Sequence, residues 1–212
     1  MPDREQRNEE RATDRLTLFS DAVVAIAITL LAIELPVPEG DTVRVFWSSV
    51  RHNDGHYAAF LISFLVIAAA WSNHHDLFRY VKRTDARLQT FNTAWLLTIV
   101  LNPFATKLLT ANGSLDTHAL RFGFYAVLQV LESLALLAML KHMTSRGQAP
   151  DTPQSALADM SWQAWSLVAG FGLSIPLLFV TIYAWVLWIA VPLAVGSLRQ
   201  LRHRGLSRSA ES

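Results

Sequence analysis

Residues 15–38 read RLTLFSDAVVAIAITLLAIELPVP, and this stretch decides the fold class. Its central part, residues 22–33, is apolar except for Thr29. A membrane-spanning helix needs about 20 mostly apolar residues, so the helix has to begin several residues earlier. We therefore predict a membrane helix over Leu16–Leu35 that carries the carboxylate of Asp21 at membrane depth.

The rest of the chain repeats this apolar pattern. Hydrophobic residues make up 52% of the 212 residues and charged residues only 17%, whereas soluble domains have about 25% charged residues. The last apolar stretch, of about 40 residues, fits a hairpin of two spans, with its turn near Thr181 or alternatively near Pro176 or Gly172. We predict an all-α integral membrane protein with six transmembrane helices, five being the alternative. The five later spans are predicted at Tyr57–His75, Leu88–Leu109, Leu120–Leu140, Trp162–Tyr183 and Ala184–Leu201.

Composition excludes several classes of function. The chain has no cysteine, which excludes disulfide scaffolds, thiolate zinc sites and cysteine nucleophiles. Its net charge of +1 gives no reason to expect nucleic acid as a partner. The segment from Met1 to Arg15 is highly charged and is not expected to be a cleaved signal peptide. No cofactor is indicated.

The placement of Lys and Arg predicts the orientation in the membrane. Fourteen of the 18 lie in the two tails and in the loops after the second and fourth spans. An even number of spans with both termini cytoplasmic explains this asymmetry. We predict a cytoplasmic tail over 1–14, a single six-helix transmembrane domain over 15–201 and a second cytoplasmic tail over 202–212.

The first predicted span has two different faces when it is projected as a helix. Ser20 and Asp21 point away from the apolar face. A carboxylate exposed to lipid is costly, so we expect Asp21 to be buried against a neighbouring helix. The alternative is that both residues cap a helix that begins only at Ala22, which would be short for a span. The apolar face comprises Phe19, Ala22, Ile26, Leu30 and Ile33, with Thr29 at its edge.

The second predicted span offers hydrogen-bond partners for Asp21. One face of it carries Trp71, His74, His75 and Phe78. An indole N–H and a histidine near a buried aspartate would satisfy its oxygens. A zinc site is not expected, because adjacent histidines diverge by about 100° around a helix and the chain has no HExxH motif.

Two motifs carry a family resemblance. The first is RxxxFSD, formed by Arg15, Phe19, Ser20 and Asp21, and the second is WxxH, from Trp71 to His74. Together they resemble the bacterial branch of the potassium channel family that includes the endosomal and lysosomal potassium channel of animals. The resemblance extends over residues 15–110. Further positions in a similar order are Leu77, Phe78, Asp85, Asn92, Pro103 and Phe104.

The resemblance implies six transmembrane helices per subunit and a homotetramer in which the first helices line a central pore. It implies a pore constriction made of apolar rings, with Ile26 as the principal ring and Leu30 and Ile33 as further rings. Thr29 would then act in ion selectivity beside the first ring. The network that holds the pore helix in place would comprise Arg15, Phe19, Ser20, Asp21, Trp71 and His74.

These features predict a passive, potassium-preferring cation channel rather than an enzyme. An apolar ring can gate by dewetting, and the Thr29 hydroxyls would favour the more weakly hydrated K⁺ over Na⁺. The chain has no TVGYG sequence, so selectivity is expected to be weaker than in channels with a carbonyl filter. The expected partners are potassium ions, membrane lipids and copies of the same chain, and the expected location is a bacterial plasma membrane.

Acidic residues after the first span leave two interpretations open. Glu34, Glu39 and Asp41 would concentrate cations at an outer vestibule if four subunits surround one axis. Alternatively, they belong to a solvated extracytoplasmic linker over Pro36–Asp54.

Glu132 lies within the fourth predicted span. An ionisable group there is a functional candidate, whereas hydrogen bonds among Gln129, Glu132 and Ser133 would make it structural. The alternative function for the whole chain is a proton-coupled cation transporter that uses Asp21, His74 and Glu132 as relay groups. The sequence shows no clear inverted repeat of the kind that marks many carriers.

Overall fold

The computed structural model describes residues 4–111, 115–181 and 183–197, and all regular secondary structure in these ranges is helical. This agrees with the predicted all-α class. The predicted tail over 202–212 lies outside the described residues. The helices are α1 (Arg4–Ile33), α2 (Val43–His52), α3 (Asp54–Phe78), α4 (Ala86–Thr110), α5 (Leu115–Ser145) and α6 (Gln154–Leu177), followed by α7 (Ala184–Ser197), which begins with a 3₁₀ turn.

Three of the described helices are long and apolar enough to cross a membrane, and they are α1, α3 and α5. Helices α4 and α7 lie close to two other predicted spans, whereas α6 begins at Gln154 and ends at Leu177 and so only overlaps the prediction at Trp162–Tyr183. Helix α4 carries Asn92, Asn102 and Thr106, and these polar side chains lower its mean hydropathy. The same three side chains are buried in the protein. Because three of the described helices meet the length and hydropathy expected of a span, the count of six spans stays a prediction.

Helix α1 extends well beyond its predicted span. It begins at Arg4 and runs through the predicted tail without a break. Glu9 Oε2 lies 2.9 Å from Arg83 Nε in the segment between α3 and α4, and Thr13 is buried. The N-terminal part of α1 is thus fastened to the same end of the helix bundle as the α3–α4 connection.

The predicted linker over Pro36–Asp54 contains a helix, α2, that was not predicted from the sequence. Thr42 caps it, since its side-chain oxygen accepts a hydrogen bond from the Val45 N–H at 3.3 Å. None of the residues of α2 is buried. The linker is held against α3 by the Tyr57 hydroxyl, which donates to the Pro36 carbonyl at 2.9 Å.

One face of α1 packs against α3 and α4. Val24, Ala27 and Leu31 follow at helical spacing and are almost completely buried. They belong to a core cluster that also includes Ile67 of α3 and Ile99 of α4. A second cluster, between α4, α5, α6 and α7, is built on Ala105, Tyr125, Ala126, Leu128, Phe171 and Trp188.

Helices α6 and α7 form the predicted hairpin, and its turn near Thr181 is confirmed. Helix α6 ends at Leu177, directly after Pro176, and α7 begins at Ala184. Close packing of the two helices requires Gly170, because a Cβ there would lie 2.9 Å from the Leu187 carbonyl oxygen.

The start of α4 is fixed by Asp85, whose side chain caps the helix. Its Oδ1 accepts from the Leu88 N–H at 2.8 Å. His142 Nε2, near the end of α5, lies 3.0 and 2.8 Å from the two carboxyl oxygens. The Leu88 N–H, together with His142, lowers the pKa of Asp85 below its ordinary value. Asp85 therefore joins the α3–α4 connection to the end of α5 as an ionised group.

Replacing Asp85 tests this connection. Asp85→Ala removes the cap and should cost about 1 kcal/mol of stability. Asp85→Asn keeps a capping oxygen but loses the charge and the second oxygen that faces His142. Because folding lowers the pKa, the difference between wild type and Asp85→Asn should be complete near pH 6. It should be lost as the pH falls through the lowered pKa. Thermal unfolding in detergent at several pH values measures this, and a difference that grows below pH 4 would contradict it.

Candidate functional site

The apolar face of α1 is exposed in the structure of the single chain. Phe19, Ile26 and Ile33 have exposed fractions of 60%, 59% and 77%, whereas Val24 on the other side has 2%. Ala22 and Leu30 are also exposed. The structure thus separates the two faces as the helical projection does, and it leaves the apolar face of α1 free to contact something outside the subunit.

Thr29 stands at the edge of this face and is exposed. Its hydroxyl donates a hydrogen bond to the Ile26 carbonyl at 2.8 Å. The hydroxyl proton is therefore used within the helix, and the oxygen lone pairs are left for an outside group. An oxygen in this state can accept a hydrogen bond or coordinate a cation.

The opposite face of α1 is held by a buried hydrogen-bond chain. Ser20 donates to the Leu16 carbonyl at 2.9 Å and accepts from Asn92 Nδ2 of α4 at 2.9 Å. Asn92 Oδ1 lies 2.7 Å from His74 Nε2 of α3. Ser20, His74 and Asn92 are each 0% exposed. One amide thus joins α1, α3 and α4 inside the helix bundle.

This chain of bonds also assigns the tautomer of His74. Because Asn92 uses its Nδ2 on Ser20, its Oδ1 must accept, so His74 donates from Nε2. Nδ1 of His74 has no hydrogen-bond partner among the described residues. The imidazole lies between the rings of Phe78 and Trp95, at centroid distances of 4.3 and 4.1 Å. His74 is therefore a packed donor, and its ring is fixed on both sides.

Asp21 differs from the sequence expectation in its burial and in its partner. It is half-buried rather than buried. Its Oδ1 accepts from the Trp71 indole N–H at 2.8 Å, which is one of the two partners expected. The expected histidine, His74, binds Asn92 instead, because Ser20 and not Asp21 points into the bundle.

Arg15 and Phe19 lie apart from these hydrogen bonds in the single subunit. Both are exposed, and Arg15 forms no ion pair with the described residues. The reason is their spacing, since residues 15, 19, 22 and 26 follow one another on a single helical face. The structure therefore joins Ser20 to His74 and Asp21 to Trp71, and it places Arg15 and Phe19 on the exposed side.

Helix α4 supplies Asn102 to a second buried polar cluster, and this partner of Gln129 and Glu132 was not predicted from the sequence. Asn102 Nδ2 donates to Glu132 Oε2 at 3.0 Å, and Gln129 Nε2 donates to Asn102 Oδ1 at 2.8 Å. Nearby, Thr106 donates to Ser63 at 2.7 Å. Asn92, Asn102 and Thr106 share a helical face with buried Trp95 and Ile99, and this spacing was the available signal.

The three relay groups of the transporter alternative lie in separate hydrogen-bond groups. Asp21 binds Trp71, His74 binds Asn92 and Glu132 binds Asn102. No hydrogen bond between these groups is found among the described residues.

At the end of α1, Glu34 Oε2 pairs with Lys107 Nζ at 2.7 Å.

Replacing Asn92 should destabilise the protein more than replacing Trp71. Asn92→Ala leaves the buried His74 N–H and the Ser20 hydroxyl without this partner, and it should cost about 1–3 kcal/mol for each unsatisfied group. Trp71→Phe removes one bond to a half-buried carboxylate and should cost less. Thr90→Ala, which removes an exposed bond within α4, is the matched control. Thermal unfolding in detergent measures the order, and equal losses for Asn92→Ala and Thr90→Ala would contradict it.

Comparison with known proteins identifies relatives over most of the chain. A family model described as "Endosomal/lysosomal potassium channel TMEM175" matches residues 15–103. A potassium channel of Streptomyces collinus is 33% identical over 172 residues, which are 79% of this chain and 82% of that protein. The mouse endosomal/lysosomal proton channel TMEM175 is 31% identical over 107 residues, which are 49% of this chain and only 21% of the mouse protein.

A solved structure agrees with the fold. The crystal structure of a lysosomal potassium-selective channel TMEM175 homolog from Chamaesiphon minutus superimposes with a TM-score of 0.68 at 28% identity. The match covers 91% of this chain and 98% of that one. Relatives and structure together support a membrane-embedded cation channel. The chain belongs to the TMEM175 potassium channel family, on its bacterial branch.

Proposed function

We propose that this chain forms a passive, potassium-preferring channel in which the exposed apolar face of α1 lines the ion path. The observation that carries the proposal is the contrast between the two faces of α1. One face is locked to α3 and α4 through Ser20, Asn92 and His74. The other carries Ile26, Leu30 and Ile33 with no covering element among the described residues. A helix fixed on one side is suited to present the other side to a pore.

Four copies of the chain around one axis would turn this face into rings. The homotetramer is the assembly that the family resemblance implies. Ile26 would form the principal constriction, and Leu30 and Ile33 would form further rings one and two turns along α1. Rings of this kind gate by dewetting, since a narrow apolar passage expels water and the ions that need it.

Thr29 would provide the ion preference at the first ring. Its hydroxyl donates its proton to the Ile26 carbonyl. In a tetramer, four hydroxyl oxygens with free lone pairs would therefore face the axis. Oxygen ligands replace hydration water more readily around K⁺, which is hydrated more weakly than Na⁺. We propose that the preference is modest because four hydroxyls give fewer ligands than a carbonyl filter.

We propose that the single transmembrane domain spans 15–201 with six helices and both termini in the cytoplasm of a bacterial cell. The distribution of Lys and Arg in the sequence supports this orientation. On the outer side, Glu34 would stand at the end of the pore helix. Its pairing with Lys107 reduces the charge that Glu34 adds to a vestibule, so Glu39 and Asp41 would supply more of it.

A proton-coupled transporter has less support. Such a mechanism needs relay groups that exchange a proton, either directly or through a connected chain. Asp21, His74 and Glu132 lie instead in three separate hydrogen-bond groups. Passive flow along the α1 face needs no such connection.

Replacing Ile26 tests the constriction. Ile26→Asn puts a polar ring at the narrowest point, so it should favour a wet pore, raise K⁺ flux several-fold and weaken the preference for K⁺. Flux into liposomes under matched K⁺ or Na⁺ gradients measures both effects. Leu61→Asn on α3 is the matched control, because Leu61 is 55% exposed and Ile26 is 59% exposed. Unchanged flux in Ile26→Asn, or an equal rise in Leu61→Asn, would remove Ile26 from the proposal.

Replacing Thr29 tests the source of ion preference separately. Thr29→Val keeps the shape of the side chain and removes its oxygen. The K⁺ to Na⁺ flux ratio should therefore fall by about two- to tenfold, which corresponds to the free energy of about one hydrogen bond. Thr93→Val is the control, because Thr93 is an exposed threonine of α4 that also bonds to its own helix, at Gln89. An unchanged ratio in Thr29→Val would exclude the hydroxyl as the selectivity group.

A further inference from the structure

Glu132 is the most deeply placed carboxyl group among the described residues, and the ion path proposed above does not use it. It is 5% exposed and lies in the middle of α5. An ionisable side chain within a membrane span is costly to retain without a function or a partner. Its single hydrogen bond with the described residues comes from Asn102.

The orientation of Asn102 decides which atoms around Glu132 are left without a donor. Asn102 Nδ2 donates to the Thr98 carbonyl at 3.1 Å and to Glu132 Oε2 at 3.0 Å. Its Oδ1 must therefore accept, and it accepts from Gln129 Nε2. The Gln129 side-chain oxygen and Glu132 Oε1 then have no hydrogen-bond donor among the described residues. Two acceptors on neighbouring turns of α5 are thus unpaired.

These two side chains line a cavity of about 380 Å³ formed by α3, α4, α5, α6 and α7. This volume lies within the range of small-molecule sites, roughly 300–1,000 Å³. The cavity reaches the surface of the subunit, since Leu65 and Leu193 at its wall are 57% and 65% exposed. Most of its wall is apolar, and further lining residues are Val66, Ala69, Leu136, Leu167, Phe171 and Ile189.

The lining has the chemistry of a site for a hydrophobic cation. It contains no Lys or Arg among the described residues, so an anion would find no opposite charge. A neutral hydrocarbon would leave the carboxyl group and the Gln129 oxygen without donors. An ammonium group supplies several N–H donors and a positive charge, and an attached hydrocarbon fits the apolar wall. None of the lining residues belongs to α1, so the cavity is separate from the proposed pore face.

We propose that this cavity binds a lipophilic amine, with the ammonium group on Glu132 and Gln129 and the hydrocarbon part against α3, α6 and α7. The ligand is bound as an ammonium–carboxylate pair. The site is independent of the channel proposal, because it needs neither a pore nor a tetramer.

Binding of a fluorescent amine to the full chain in phosphatidylcholine nanodiscs tests the site. The probe is dansylcadaverine, and the matched neutral probe is dansylhexylamide, in which a methyl group replaces the ammonium. Wild type should bind the amine saturably. Glu132→Gln keeps the acceptor for Asn102 and removes the charge, so it should bind the amine at least about tenfold more weakly.

Two further variants keep the test decisive. Ala69→Phe fills the cavity and leaves Glu132 in place, so it should also abolish saturable binding of the amine. Glu39→Gln removes an exposed carboxylate elsewhere and should bind as wild type does, which controls for attraction of the probe to acidic groups. Thermal unfolding of each variant in the same nanodiscs checks that it is folded.

Three results would overturn the proposal. The first is equal affinity of the amine for wild type and for folded Glu132→Gln. The second is binding of the neutral probe as tight as that of the amine. The third is no saturable binding by folded wild type, which is the result expected if a lipid chain or a neighbouring subunit already fills the cavity.

Discussion

A polar side chain at membrane depth has to find its hydrogen-bond partner inside the protein, and the position of α1 depends on this constraint. Ser20 accepts a hydrogen bond from Asn92, and Asn92 accepts one from His74. The chain of bonds fixes which face of α1 is turned inward. Val24, Ala27 and Leu31 are buried on the locked side, and the apolar stripe that begins at Phe19 is consequently turned outward. The proposed pore follows from this orientation.

Helix α4 satisfies the same constraint for most of the bundle. Asn92 forms hydrogen bonds with α1 and α3, and Asn102 forms hydrogen bonds with α5. Thr106 forms one with Ser63 of α3. These side chains interrupt the apolar sequence of α4, which packs against α1, α3 and α5. Buried amides that form hydrogen bonds between helices give directional contacts, which apolar packing in lipid does not supply. Beside Glu132 the pairing of polar groups is incomplete, as it is at His74 Nδ1.

The sequence predicted the features that depend on one helix at a time. The all-helical class, the turn near Thr181 and the two faces of α1 follow from hydropathy and periodicity, and the structure agrees with each. Contacts between helices could be predicted from the sequence less well. Asp21 was expected to meet a histidine, but the helices are rotated so that Ser20 points inward and His74 meets Asn92. Helix α2 was missed because short, exposed helices have weak hydropathy signals. The role of Asn102 was missed because its helical spacing marks an inward-facing position but does not indicate which side chain of another helix it meets.

Accessibility of a single cysteine tests the central claim, that the apolar face of α1 lines the ion path, and the natural chain contains no cysteine to interfere. Ile26→Cys and Leu61→Cys introduce one thiol each, at positions with similar exposure in the single subunit. Ag⁺ has about the size of K⁺, passes where K⁺ passes and bonds to thiolates. If the apolar face of α1 lines the ion path, Ag⁺ should stop K⁺ flux through Ile26→Cys channels and leave flux through Leu61→Cys channels unchanged. Block of Leu61→Cys but not of Ile26→Cys would place the ion path elsewhere in the molecule.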